Sequence, residues 1–277
     1  MSMGLLALQR EQQRRRRQIL AQDDSIATVN KRKDSPFQRV GDDDSQHVET
    51  LRCSIPYLPE DIWRHIHSLM PLCDAARAAC LSRAFLHSWR CHPNLTLDWN
   101  TLYSKGCGGN FSCKIDSILR NHSGIGLKTL KLRLHDDCRT FPYVDSWLQV
   151  AVTPGIEELT LALYKKYNFP CSLLSDGVRN SIRYLRLSSC AFRPTVDLGP
   201  LRCLTSLCLD SVRVTGDELE CLLSNSLALE QLDLRSCKEI IVLKIPCMLL
   251  QLSSLSVMTC WRLQVIEQSS KSLPYLP

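Results

Sequence analysis

The sequence predicts an α/β chain in which a small three-helix module precedes a solenoid of short parallel strands with irregular or helical returns. Three observations predict it. A six-residue phrase with apolar residues at its first, fourth and sixth positions recurs six times after Leu102. Three short amphipathic segments crowd the stretch from Pro59 to Arg90. The 277 residues, 44% of them hydrophobic, supply apolar material for one medium domain or two small ones.

Residues 1–50 offer little to a core. Gly4 to Gln22, with Arg14-Arg15-Arg16-Arg17, reads as a solvated basic helix, and Asp23 to Thr50, with Asp42-Asp43-Asp44, reads as a disordered polar linker. The arginine run and Lys31-Arg32-Lys33 are spaced like a bipartite nuclear import signal, a pattern that an ordinary solvated face also produces. Met1 to Leu8 is too short for a signal peptide's apolar region and precedes the arginines, so secretion is not expected. The expected location is the nucleus and/or cytoplasm, with the fifteen cysteines reduced. No run approaches the roughly 20 apolar residues of a membrane span, so no membrane partner is expected. The net charge of +6, with signs mixed along the repeats, gives no support to a nucleic-acid partner.

Residues 51–102 form the helical module. Pro59 suits a first helical position, Glu60 and Asp61 complement the helix dipole, and Ile62, Ile66, Leu69 and Met70 recur at helical spacing until Pro71 stops the run. Asp74 is expected to cap a second helix over Ala75–Ser82, and Phe85, Leu86 and Trp89 stripe a third. So small a module cannot bury much, which points to a partner surface. Leu58-Pro59, Asp61-Ile62, Ile66, Pro71, Asp74-Ala75, Arg77-Ala78, Ser82-Arg83 and Trp89-Arg90 together resemble an F-box. The resemblance implies docking to a Skp-type adaptor, and through it a cullin, in a cullin-RING ubiquitin ligase. It carries adaptor contact over to Leu58, Pro59, Ile62, Ile66, Pro71, Leu72 and Leu81, and packing within the module to Trp89. The bland alternative is a helical cap on a larger domain.

Residues 103–277 hold the repeats. Their fourth positions are Leu130, Leu159, Leu185, Leu207, Leu232 and Leu255, at steps of 22 to 29 residues, the range of leucine-rich repeats. The fourth and sixth positions should point inward from a strand while the residue between faces the concave side. Cys190, Cys237 and Cys260 stand three residues after the last apolar position, where such repeats place Asn or Cys to satisfy loop backbone. Structural roles are expected for them. Val144 to Val152 and Gly216 to Leu223 read as return helices, the latter capped by Thr215 or Asp217. The combination is similar to plant F-box proteins with leucine-rich repeats, some of which end in an FBD domain. Measured against that family the chain reads as C-terminally truncated and lacking the FBD, with its last repeat incomplete or uncapped.

Candidate target-binding residues are those between and beside the inward leucines: Lys131, Arg133, Thr160, Arg186, Cys208, Asp233, Arg235 and Ser256. Solubility alone explains any one of them as well, although Lys131, Arg133 and Arg186 would favour an acidic segment. Catalytic and metal sites are not expected, and no cofactor is implied. His65 and His67 lie about 200° apart around their helix and read as surface residues. Cys91-His92 and His87 lack an orienting third group, and Gly106-Cys107-Gly108-Gly109-Asn110 lacks a P-loop ending and reads as a linking loop. The function expected is a non-catalytic, substrate-recruiting subunit of a ubiquitin ligase. The alternative is a leucine-rich-repeat scaffold or decoy that does not support ubiquitin transfer.

Overall fold

The computed structural model describes residues 58–102, 111–134, 141–163 and 167–269. The expectations for residues 1–50, for the Gly106–Asn110 loop and for the chain's final residues fall outside them. Three helices open the fold: α1 (Glu60–Leu69), α2 (Leu72–Ala78) and α3 (Arg83–Arg90). Pro59 and Pro71 take the cap positions before α1 and α2, one place earlier than a first helical residue. The second helix therefore starts at Leu72, and Asp74 lies in its first turn as a dipole complement instead of capping it. Ser82 caps α3 by accepting from the Phe85 N–H at 3.1 Å.

The first strand, β1 (Asn94–Asp98), follows α3 at once, so Leu95 and Leu97 already belong to the sheet. After the single turn α4 (Trp99–Leu102) and α5 (Phe111–Asn121) come β2 (Thr129–Arg133), α6 (Phe141–Ala151) and β3 (Glu158–Ala162). The remainder is β4 (Asn168–Phe169), α7 (Asp176–Arg179), β5 (Tyr184–Ser188), β6 (Ala191–Phe192), β7 (Ser206–Asp210), α8 (Gly216–Ser224), β8 (Gln231–Arg235), β9 (Val242–Pro246), β10 (Ser254–Met258) and β11 (Val265–Ser269). Seven strands form one parallel sheet in the order β1-β2-β3-β5-β7-β8-β10. Six of these are the six phrases of the sequence, and the seventh is β1. Convex-side returns are helical at α5, α6 and α8, and two small parallel pairs, β4–β6 and β9–β11, complete the back.

Register explains the stacking. Each fourth-position leucine lies beside the next, giving the row Leu95, Leu130, Leu159, Leu185, Leu207 and Leu232, each at most 1% exposed. The sixth positions make a parallel row from Leu97 to Leu234. Burying such a side chain contributes about 1.5–3 kcal/mol, which is why the phrase tolerates no polar residue at these two places. Only at β10 does burial fall away, with Leu255 41% exposed. Opposite the rows, Leu219, Leu222 and Leu223 turn inward from α8, which carries a full capping box between Thr215 and Glu218. Gly216 is required there, because a Cβ would lie 2.2 Å from the Val242 carbonyl oxygen.

In the seven-stranded sheet, β5, β7, β8 and β10 all end in the same sharp turn. Ser189, Ser211, Ser236 and Thr259 adopt the left-handed region, with φ of 51° to 55°. Their N–H groups reach sideways to the next strand's last carbonyl, as from Ser189 to Asp210 at 2.9 Å and from Ser236 to Met258 at 2.9 Å. The following residue then turns inward: Cys190 and Cys237 are buried, and burial pushes both thiols up to about 12. Cys237 donates to the Leu209 carbonyl at 3.5 Å and Cys260 to Leu234 at 3.8 Å. Cys237 and Cys260 thus act as periodic donors in the turn, and Cys190 fills the same place as buried packing.

The helical module is fused to this sheet. His92 is buried at the end of α3; its Nδ1 accepts from the Asn94 N–H at 3.1 Å, so Nε2 carries the proton and donates to the Met70 carbonyl at 3.2 Å. His122 repeats the arrangement one return later, its Nδ1 accepting from Gly124 and its Nε2 donating to the His92 carbonyl at 2.8 Å. Ser123 adds N–H and Oγ bonds to the Arg90 carbonyl at 2.8 and 3.0 Å. The expectation of a surface position fails for His67, which is 2% exposed and packs on the Phe85 ring at 4.8 Å. It lies on the face of α1 that α3 covers.

Two measurements check this account. Ser189→Gly should leave stability unchanged or raise it by up to about 1 kcal/mol, whereas Ser189→Val should cost about 1–3 kcal/mol, because only glycine enters the left-handed region freely. Equal urea midpoints for the two variants would sink the strain argument. Burial, then the nearby His92, lowers the His67 pKa, so below 6.5 the unfolded chain takes up a proton that the folded chain resists. Stability should therefore fall as pH drops through that window, and His67→Leu should flatten the fall; an unchanged slope in urea titrations at pH 7.5 and 5.5 refutes it.

Candidate functional site

Two surfaces stand out, one on the helices and one on the sheet. On α1, Ile62, Ile66 and Leu69 lie at i, i+4 and i+7 and share one face. They are 41%, 36% and 73% exposed, and Leu81, in the turn between α2 and α3, is 75% exposed. Large aliphatic side chains so exposed on a module this small are unusual, because its interior is supplied instead by the Trp63 and His67 rings, both of which meet Phe85. Pro59 and Pro71 are exposed beside them and Leu58 is half-buried. Leu72 is placed differently from the other six predicted contacts: it is buried against the sheet's core, so it props α2 on the solenoid and presents no side chain outward. The same surface includes Leu69, which the helical spacing already marked.

The concave face is a grid of outward residues on parallel strands. Its centre is a hollow of about 390 Å³ that brings together Thr160, Arg186, Cys208, Asp233, Arg235 and Ser256, six of the eight predicted residues. Lys131 stands one strand before it, bonded to Glu158 at 2.9 Å. Arg133 faces a separate hollow at the strands' C-terminal ends, beside Asp98 and Ala162. Thr160 is only 7% exposed, since both neighbouring side chains, Lys131 and Arg186, are longer.

Within the hollow Arg235 grips Asp233 with two nitrogens, Nε to Oδ1 at 3.1 Å and a terminal nitrogen to Oδ2 at 2.7 Å. The Cys208 thiol donates to Asp233 Oδ2 at 3.8 Å. Burial pushes the Cys208 thiol above its usual range, with Arg186 opposing the shift, so it is a poor nucleophile. Tyr184, 52% exposed, also lines the hollow, as do Glu158, Ser206, Gln231 and Ser254. These occupy the third position of each phrase, which strand alternation places on the same side as the fifth; the two-residue period was the signal for them.

Both ring nitrogens of His92 are committed to backbone, and Cys91 Sγ lies 3.4 Å from the Ser123 hydroxyl. Among the described residues no group of three or more His, Cys, Asp or Glu side chains is placed to hold a metal ion. Among them, too, no helix is long and apolar enough to cross a membrane.

Comparison with known proteins gives a domain match for each of the two parts of the chain. Residues 55–96 match the F-box domain, which ends on β1, and residues 118–276 match the At1g61320/AtMIF1 LRR domain. Similar plant proteins include the Arabidopsis thaliana FBD-associated F-box protein At1g66310, 28% identical over 64% of this chain and 40% of its own length. F-box protein At5g03100 of the same plant is 25% identical over 66% of this chain and 56% of its own length. The putative F-box/FBD/LRR-repeat protein At4g03220 is 29% identical over 80% of this chain and 45% of its own length. The chain thus spans about half the length of these curated relatives. With the domain match from residue 118 to 276 covering more than half of the sequence, the chain belongs to the At1g61320/AtMIF1-type leucine-rich-repeat family and carries an F-box ahead of its repeats.

Proposed function

We propose that this chain is a substrate-recruiting subunit of an SCF-type ubiquitin ligase: the helical module binds a Skp-type adaptor, and through it a cullin, while the concave sheet holds a target protein. The observation that carries the reading is the exposed aliphatic stripe Ile62, Ile66 and Leu69 on α1, joined by Leu81. F-box domains generally bind Skp-type adaptors, and repeats of this kind generally bind targets. Leu58, Pro59 and Pro71 extend the proposed adaptor face. In this role the chain acts by holding the target near a conjugating enzyme and so raising effective concentration. The twelve cysteines placed by the structure are all free thiols, in keeping with work in the nucleus and/or cytoplasm.

The test is co-purification with a Skp-type adaptor. Ile62→Asp with Ile66→Asp puts two charges where apolar contact is needed and touches side chains already exposed, so the fold should survive, as an unchanged thermal midpoint will show. Adaptor affinity should fall by at least about a hundredfold, the usual consequence of losing central apolar anchors. Undiminished adaptor capture by the double variant overturns this docking mode. Adaptor binding without modification of a captured target in a reconstituted ubiquitylation assay supports the scaffold or decoy alternative.

A further inference from the structure

The concave hollow is nearly neutral, and its charges are not equally free. Lys131 is tied to Glu158 at 2.9 Å and Arg235 to Asp233 at 2.7 Å, each a pair between neighbours in the grid. Arg186 differs. It sits on β5, the fourth of the seven strands, its side chain is exposed, and among the described residues no carboxylate pairs with it. Its neighbour toward β7 is the Cys208 thiol, which lies between it and Asp233. Toward β3 its cross-strand neighbour is Thr160. Two residues earlier on its own strand face, Tyr184 exposes half its ring.

Position, donors and charge together specify a ligand. A lone guanidinium offers a fork of donors matched to one carboxylate, and the Ser206 hydroxyl stands on the flanking strand β7. The negative groups nearby set the charge limit. Asp233, in register two strands away, and Glu158, a diagonal neighbour one strand away, flank the guanidinium at roughly 10 and 8 Å at the backbone. A dianion would double its attraction to the guanidinium and its repulsion from both carboxylates alike, while its desolvation cost would rise about fourfold, with no second unpaired cation to offset it. One negative charge is what the hollow lacks.

We propose that the centre of the concave sheet reads a single acidic side chain, Asp or Glu, in a target segment, seating its carboxylate on Arg186 with the Tyr184 ring against its stem. This rests on the concave face being the target surface. Lys131, Asp233 and Arg235 then act as a pre-paired frame that favours a segment of low net charge over a polyacidic or phosphorylated one.

The probe is a set of soluble peptide pools, degenerate at eight positions around a fixed central residue that is Glu, Gln, phosphoserine or Lys. Each is passed over the immobilised full chain in complex with its adaptor, and over the uncomplexed chain. The Glu pool should be retained about tenfold better than the Gln pool, the scale of one charge-assisted hydrogen-bonded contact, and above the phosphoserine and Lys pools. Arg186→Gln should abolish the preference for Glu over Gln, and Arg186→Lys should keep part of it. The variants replace an exposed side chain, and a shared thermal midpoint certifies their fold. Equal retention of Glu and Gln pools, a preference for phosphoserine, or a Glu preference surviving in Arg186→Gln overturns the proposal. A Glu preference on a chain that captures no adaptor sinks the ligase reading and leaves this one standing, and the reverse pattern does the opposite.

Discussion

Parallel registration of two leucine rows is the constraint from which the rest of the structure follows. Once Leu95 to Leu232 and Leu97 to Leu234 stack strand by strand, each strand's alternate residues must face the concave surface, and each return must cross the convex side. The bottom of the sheet repeats one bond pattern: the carbonyls of Pro93, Lys128, Glu157, Arg183, Thr205 and Glu230 each accept two N–H groups from the next repeat. The top repeats another, through the left-handed serines. Backbone hydrogen bonding is thus settled at both rims, chiefly by backbone partners with the turn cysteines adding donors, leaving the grid between them free to vary.

That freedom explains where specificity resides. The returns range from a three-turn helix at Phe141–Ala151 to the two-residue pair Phe169 and Phe192, whose rings meet edge-on at 5.7 Å. These differences change the chain length between strands and leave the register untouched. The concave positions carry Lys, Thr, Arg, Cys, Asp and Ser in succession, a sequence dictated by no packing requirement.

The repeat was legible because its signal is periodic and local: each of six phrases became a strand at the expected residues. The helix Gly216–Ser224 and its Thr215 cap were legible for the same reason, since a capping box is a short-range signal. What escaped the sequence depends on contacts between distant segments. His67 and Leu72 look alike to any helical wheel that lacks the positions of α3 and β1, and both turn out buried. The helix Phe111–Asn121 has a proper apolar stripe in Phe111, Ile115 and Leu119, yet the glycine-rich run directly ahead of it draws the eye to a loop. Thr160 reads as an exposed strand residue until its longer neighbours close over it. In the hollow, the residue types were readable but the pairing that leaves Arg186 alone was a matter of geometry.

The buried histidines His92, after α3, and His122, after α5, have a mechanical consequence. With His92, His122 and Ser123 bonding helix ends to one another, the helical module and the sheet have no swivel between them among the described residues. Whatever each surface holds is therefore carried on a single strut, and the distance between the two cargoes is set in whole strands of about 4.8 Å, not by the slack of a linker. Moving an occupant one strand along the arc is the smallest adjustment such a ruler permits.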